Sequence, residues 1–355
     1  MSKFRPDWAV PPGATLEEWL EEVNMTQVEL ASRVGLSAKA LNQIIRGHAP
    51  LTQETALRLE VVTDVPAATW NRLEAQWQAE SQRLKRSASL GEATEWVKQF
   101  PLEWLRKNGA ITATGHDRVG QVEQVLMFFR VATPEAWEKT WSKPAAAFRQ
   151  SSAHEVQAPA VASWLRLGEV YAEKIDCAPF DAAALRAQLP DLRSLSLQDP
   201  ERYGQELIAR CARVGVALVF LPEPAGARCS GAARWFRTRY IVQLSLRYKS
   251  DDHLWFSLFH ELGHVLLHDR SEIFIEGLSA GSEVDAKEEQ ADTFARTLLI
   301  PDEYVSRLNQ LRSLSSMVAF AQEIGVAPGI VVGRLQRERK DFSFGNSLKK
   351  RLAFA

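Results

Sequence analysis

The stretch Leu254–Asp269, LWFSLFHELGHVLLHD, decides how this chain is read. Two histidines and a glutamate, His260, Glu261 and His264, interrupt an otherwise apolar run. Leu258, Phe259, Leu262, Val265 and Leu266 recur at helical spacing and predict a packed helix. His260 and His264 stand four residues apart, a little more than one turn, so both imidazoles leave the helix on one face. Two nitrogens placed that way fit two corners of a tetrahedral Zn²⁺ site. Glu261 sits beside the first histidine, turned away from coordination, where it can take a proton from a zinc-activated water. The pentapeptide H-E-x-x-H also arises by chance, so the metal reading needs a third ligand from elsewhere.

His268 is the nearest further histidine, but eight residues beyond His260 it has rotated round the helix, away from easy convergence. It reads as a supporting or capping residue at the helix end. A better ligand lies in KEEQADTFARTLLIP (287–301), which predicts a second helix stopped by Pro301. Ala291, Phe294, Ala295, Leu298 and Leu299 form its packing face. Glu288 and Asp292 share one side of it. Glu288 is the expected third ligand, and Asp292 the acceptor that fixes a ligand histidine's tautomer. Glu289 reads as exposed, and Glu276 and Glu283 are the other carboxylates in the stretch between the helices.

Upstream, VALVFLPE (216–223) and RYIVQLSL (239–246) are β-rich runs and predict a small sheet. Between them lies a connecting segment rich in small residues and containing ARWF. Asp251 or Asp252 is the expected cap of the histidine helix. The middle of the chain is helical by pattern and carries Trp96, Trp104, Trp137, Trp141 and Trp164, spaced as core. Thr133-Pro134 marks one helix start. A helix from Ala67 to about Arg86 precedes RSASLGEA (86–93), the first expected boundary.

Near the N-terminus, Leu16 and Leu20 share a helix face. Thr26 with Glu29 predicts a capping box, followed by Leu30, Ala31 and Val34 as a buried side. Gly35 supplies a turn, and Ser37 caps a second short helix carrying Leu41, Ile44 and Ile45, closed by Gly47. Two short helices joined through a glycine turn describe a helix-turn-helix. Residues 1–64 hold six Lys/Arg against nine Asp/Glu, whereas residues 26–49 hold three against one. The acidic excess therefore lies outside the two short helices.

The bulk properties set limits. The chain has 355 residues, 46% hydrophobic and 25% charged, and a formal net charge of −1. That supports packed cores in two or three domains and excludes a global field for nucleic acid or membrane. The cysteines Cys177, Cys211 and Cys229 are odd in number and lack metal spacing, which favours a reducing, cytoplasmic setting. No apolar run approaches the ~20 residues of a membrane span, and MSKFRPDWAVPPG has no signal-peptide core. Residues 334–351 carry seven Lys/Arg against two Asp/Glu, which reads as a solvated terminal helix or a patch for nucleic acid or an acidic partner.

Two resemblances add to this. TQVELASRVGLSAKALNQIIRG, followed by the Thr52-capped LTQETALRLE, resembles the Cro/C1 (Xre) DNA-binding domains, and within them the HigA-type antitoxin repressors. That resemblance implies binding to operator DNA, with Ser37, Lys39, Asn42 and Gln43 facing bases and Gln27 and Arg46 meeting phosphates. Homodimerisation would supply two half-sites. HELGHVLLH followed by EEQADTFARTLLIP, with the tail SSMVAFAQEIGVAPGIVVGRLQRE, resembles the ImmA/IrrE metallopeptidases, which are gluzincin-like. This implies a zinc site of His260, His264 and Glu288, Glu261 as catalytic base, and a protein substrate such as an Xre-type repressor or toxin–antitoxin partner. WLRLGEVYAEK (164–174) is similar to the linker of such fusions, with no chemistry evident in it.

The expected organisation is a mainly α chain with a small β-sheet. An all-α helix-turn-helix head spans 1–86, a helical middle 87–200, and an α+β metallopeptidase domain 201–355. The alternative is a HigA-like transcription factor whose metal domain senses without proteolysis.

Overall fold

The computed structural model describes residues 6–142, 157–245, 247–276 and 282–352, with the backbone alone at 142 and 282–285. The chain forms two compact units, Met1–Glu95 and Trp96–Ala355. The architecture is mainly helical with one four-stranded sheet. Among the described residues, no single helix is long and apolar enough to cross a membrane.

The first unit consists of α1 (Pro12–Glu22), α2 (Gln27–Val34), α3 (Ala38–Ile45), α4 (Gln53–Thr63) and α5 (Ala67–Glu92). Thr26, Ser37 and Thr52 each accept the backbone N–H three residues on and so start α2, α3 and α4. Only half of the capping box forms, because the Glu29 carboxylate takes Arg33 at 2.6 Å instead of reaching back. Gly35 ends α2 at φ 68°, a conformation that costs a side-chain-bearing residue but not glycine. Leu16, Leu30, Leu41, Leu59 and Trp70 are fully buried among these helices. The stretch RSASLGEA, expected as a break, continues α5 to Glu92. Serine and glycine are weak helix formers but not breakers, and no proline stands there.

In the second unit, α6 (Leu102–Lys107), α7 (Arg118–Phe129) and α8 (Pro134–Trp137) surround an aromatic cluster. Phe100, Phe129 and Trp137 meet at centroid distances of 5.0 to 5.7 Å, two of the three pairs edge to face. The sheet follows, with β1 (Val216–Phe220), β2 (Gly231–Phe236), β3 (Arg239–Leu244) and β4 (Ile273–Ile275) in the order β1-β3-β2-β4. β1 runs parallel to β3, and the other pairs are antiparallel. The ARWF segment, read as a connection, is therefore the central strand β2. Its first residues, Gly231 to Ala233, are small and buried.

One face packs on α12 (Asp251–Leu267), which follows α9 (Ala158–Ala172), α10 (Ala182–Ser194) and α11 (Pro200–Arg213). The opposite face is covered by α9, which carries WLRLGE and is buried at Trp164, Leu165, Arg166, Leu167 and Gly168 alike. Gln243 Nε2 donates to Trp164 O at 2.8 Å, and Arg234 to Leu165 O at 2.5 Å. Arg166 binds Phe128 O and Glu169. The stretch without evident chemistry is thus the back wall of the sheet. Leu185, Leu189 and Leu192 of α10 share one core with Trp255 and Phe259 of α12, so that core is continuous across residue 200.

After α12 come α13 (Ser282–Leu299), α14 (Val305–Leu308), α15 (Leu314–Ile324) and α16 (Pro328–Arg339). The chain then returns to the start of α12. Ser250 bridges Arg351, Leu352 N donates to Lys249 O at 2.9 Å, and Lys349 pairs with Asp252 at 2.7 Å. Lys350 reaches Asp199 at 3.0 Å. Two of the seven basic side chains of residues 334–351 are thereby neutralised within the unit.

A Cβ added at Gly168 would lie 1.8 Å from Gln243 Oε1, whereas one added at Gly204 of α11 meets nothing within 4 Å. Gly168→Ala is expected to cost about 1–3 kcal/mol through overpacking. Gly204→Ala should stabilise by about 0.4–1 kcal/mol. Thermal unfolding followed by circular dichroism checks both, and equal melting temperatures for the two variants would disprove the back-wall packing.

Candidate metal centre

Helices α12 and α13 lie against each other at Gly263, where an added Cβ would sit 3.2 Å from Ala291 Cα. This close approach brings the acidic side of α13 over the histidines. α12 begins one residue earlier than a cap at Asp251 would require: Ser250 is the N-cap, with no side-chain cap bond. Asp251 instead accepts the N–H groups of Asp252 and Lys350, each at 3.0 Å. Burial and neighbouring Asp252 push the Asp251 carboxyl up to about 6.

The structure brings His260, His264 and Glu288 together, with one potential ligand atom from each within 4.8 Å of the others. The two Nε2 atoms are 3.0 Å apart. Glu288 lies 3.1 Å from His260 Nε2 and 3.6 Å from His264 Nε2. His260 and His264 are 1% and 2% exposed.

The far nitrogens are engaged as well. His260 Nδ1 stands 2.9 Å from Asp292 Oδ1. A carboxylate only accepts, so Nδ1 carries the hydrogen and a neutral His260 presents a lone pair at Nε2. His264 Nδ1 meets His268 Nδ1 at 2.9 Å, and His268 Nε2 meets Gln290 Oε1 at 3.1 Å. The Gln290 carbonyl requires hydrogen on His268 Nε2, which makes a neutral His268 the acceptor and His264 the donor. His264 thus also turns a lone pair inward. His268 acts on His264 from outside the three-donor cluster.

Two inward lone pairs 3.0 Å apart repel unless a cation or proton lies between them. Burial opposes charge on His260, but hydrogen bonds to Asp292 and Glu288 outweigh it and raise its pKa to about 11. Burial lowers that of His264. Burial also opposes ionisation of Glu288, yet its hydrogen bonds to both histidines hold it far below the usual carboxylate range. In the metal-free chain a proton on His260 does the work of a cation.

Glu261 is fully buried, and neither carboxylate oxygen has a hydrogen-bond partner among the described residues. Desolvation pushes its pKa well up. A Cβ on Gly231 would come within 2.3 Å of Glu261 Oε1, so only glycine at the start of β2 leaves this carboxylate room. Two orphaned carboxylate oxygens beside two imidazoles and an ionised carboxylate form a donor set suited to a divalent metal and its water.

Sequence reasoning missed three supporting groups. Gly231 was legible only as a glycine in what read as a connection. Gln290 lies between the two expected carboxylates of α13. Ser257, one turn before Glu261, donates to Glu276 at 2.7 Å. Glu276 stands outside the three-donor cluster, and the Glu283 side chain lies outside the described residues. Glu289 is 67% exposed and pairs with Arg296.

In the first unit, Ser37, Lys39, Gln43 and Arg46 are exposed, while Gln27 and Asn42 are half-buried and bonded to each other at 3.2 Å. The Ser37 hydroxyl already accepts Ala40 N–H at 3.1 Å.

The pKa directions fix a pH dependence. His260 is raised above its ordinary 6.5, so its stabilisation is complete below that value and fades as pH climbs toward about 11. Glu288 is lowered, so its contribution is complete above 4.5 and fades on acidification. Metal-free protein should keep an imidazolium at His260 at about pH 9, against the ordinary histidine value of about 6.5. Asp292→Asn should lower that pKa and flatten the fall of melting temperature with rising pH. Nitrogen NMR of the imidazoles tests this, and a neutral His260 at about pH 8 would refute it.

Two family models match the chain. Residues 211–336 match the IrrE N-terminal-like domain of peptidase family M78, and residues 16–70 match a helix-turn-helix. An uncharacterized HTH-type transcriptional regulator, YddM of Escherichia coli K12, is 30% identical over 66 residues, covering 19% of this chain and 70% of that protein. Among solved structures, Pseudomonas aeruginosa antitoxin HigA with higBA promoter is 26% identical, covers 24% of this chain and 89% of its own, and gives a TM-score of 0.22. The chain is therefore an HTH-type transcriptional regulator in its first unit and carries in its second an IrrE-like domain of the M78 peptidase family.

Proposed function

We propose that the protein is a DNA-binding regulator whose second unit is a zinc-dependent endopeptidase acting on a partner regulatory protein. The observation that carries the peptidase reading is the convergence of His260, His264 and Glu288 beside the buried, unpartnered Glu261. Zinc bound there would polarise a peptide carbonyl and bring the pKa of water to about 7. His260 and His264 would hold the ion through Nε2, oriented by Asp292 and His268, and Glu288 would complete the donor set. Glu261 takes the proton of the attacking water and returns it to the leaving amine. Its upward-shifted pKa suits that exchange better than an always-ionised carboxylate would. The first unit, Met1–Glu95, addresses operator DNA, and the second, Trp96–Ala355, carries the chemistry, with α9 backing its sheet. The substrate is an Xre-type repressor or toxin–antitoxin partner, and the setting is cytoplasmic, in keeping with three free thiols. A dimer of the first unit would read two half-sites.

Glu261→Gln should keep one zinc per chain by elemental analysis and lower cleavage of a co-encoded regulator about 10²–10⁴-fold. Cleavage at an undiminished rate would disprove the mechanism. Zinc retained without cleavage by the unaltered chain would favour a metal-sensing regulator.

For DNA, Arg46→Ala should weaken binding to the upstream region and flatten its salt dependence by about one unit of slope for the phosphate no longer neutralised, and Lys39→Ala should relax the sequence preference by about 1–3 kcal/mol. Gln43→Ala should cost about 1–3 kcal/mol on the preferred sequence alone. Fluorescence anisotropy at several salt concentrations reads both, and affinities unchanged by all three substitutions would remove α3 from the DNA interface.

A further inference from the structure

The metal cluster opens into a cavity of about 830 Å³ that extends past Phe256 and His253 toward the start of α12, with α16 lining it. Among the described residues, four Lys/Arg side chains line it: Arg296, Arg334, Arg337 and Lys349. Three are neutralised from within. Arg296 pairs with Glu289 and Asp292, Arg334 with Glu338 at 2.6 Å, and Lys349 with Asp252 at 2.7 Å. Arg337 differs. Among the described residues its guanidinium meets no carboxylate, and it lies over the Phe256 ring, 4.7 Å from the centroid. An arginine plane laid on an aromatic face is held in place while the edge of its N–H fork stays free.

The position matters as much as the charge. The Phe256 ring is 6.2 Å from the His260 ring, so the guanidinium is within about 11 Å of the first metal-binding imidazole. An extended peptide advances about 3.3 Å per residue. A peptide whose scissile bond sits at the metal cluster therefore passes Arg337 within about three residues of that bond. The acidic residues of the cavity do not offset Arg337. Among the described residues, Glu288, Asp292 and Glu276 gather at the metal end, and Asp252, Glu289 and Glu338 are already paired.

We infer that Arg337 is a specificity-determining residue that binds an Asp or Glu side chain of the substrate within about three residues of the cleaved bond. Phe256 serves as the platform that aims it. The inference rests on the peptidase reading of the same site, and the experiment separates the two. The full chain carrying Glu261→Gln, loaded with zinc, is titrated into fluorescein-labelled dodecapeptide pools blocked at both ends. One pool is rich in Asp/Glu, one in Asn/Gln, one in Lys/Arg.

The acidic pool should bind at least about tenfold more tightly than the amide pool, the size expected of one charge-assisted contact. Adding Arg337→Ala should abolish the preference, and Arg337→Glu should transfer it to the basic pool. Arg337→Lys should retain part of it. Transfer by the charge-reversed variant shows that the chain is folded. Equal affinity for the acidic and amide pools, no binding of any pool, or a preference that survives Arg337→Ala overturns the inference. The unaltered chain is assayed for hydrolysis of the same pools. Hydrolysis without acidic preference removes the role of Arg337 and leaves the peptidase. Acidic-selective binding without hydrolysis of any pool removes the peptidase and leaves the role.

Discussion

The second unit depends on how closely two helices approach. α12 and α13 touch at Gly263 and Ala291, with no side chain to hold them apart. That contact sets the distance at which Glu288 reaches both Nε2 atoms and Asp292 reaches the back of His260. A larger residue at 263 would meet Ala291 and Phe294 first and lift the carboxylates off the histidines. The rest of the unit holds these helices in register. The sheet lies under α12, α9 lies under the sheet, and α10 fills the side. The donor cluster is local, but its geometry is set by elements that supply none of its donors.

Two kinds of signal explain what was legible in the sequence. The helix-turn-helix could be read almost residue by residue, because Thr26, Gly35, Ser37 and Thr52 act on their immediate neighbours. The histidine pair was equally plain, since helical spacing places both rings without reference to the fold. Glu288 and Asp292 required only a second helix of the right period. Long-range packing hid the remainder. β2 was read as a connection because Gly231, Ala232 and Ala233 lack the bulky β-formers of an ordinary strand, and at Gly231 the Glu261 carboxylate leaves no room for a side chain. α9 showed no purpose because its buried Arg166 and Gly168 make sense only beside Glu169 and Gln243. The break expected near Arg86 failed for the opposite reason: serine and glycine are weak local signals, and α5 continues through them.

Buried charge follows one pattern throughout the second unit. At the metal centre a divalent ion would answer Glu261 and Glu288. Behind the sheet, Arg234 and Arg166 are answered by Glu169 and backbone carbonyls. At the start of α12, Asp251 and Asp252 are answered by Lys349 and backbone N–H groups. A buried ion pair adds little net stability over an apolar replacement, but breaking one side of it is costly. Such pairs therefore specify which segments must meet more than they strengthen the fold. Here they dictate that α9, the sheet, α12 and the returning tail come together in a single way.

The stitching of residues 349–352 onto the start of α12 has a consequence for synthesis. The histidine helix emerges from the ribosome well before the lysine that neutralises Asp252. Until that lysine arrives, Asp252 at the head of α12 lacks its ion-pair partner, and burying it would leave a carboxylate uncompensated. The order of synthesis therefore places the closing of this end of α12 after His260, His264 and Glu288 have all been made.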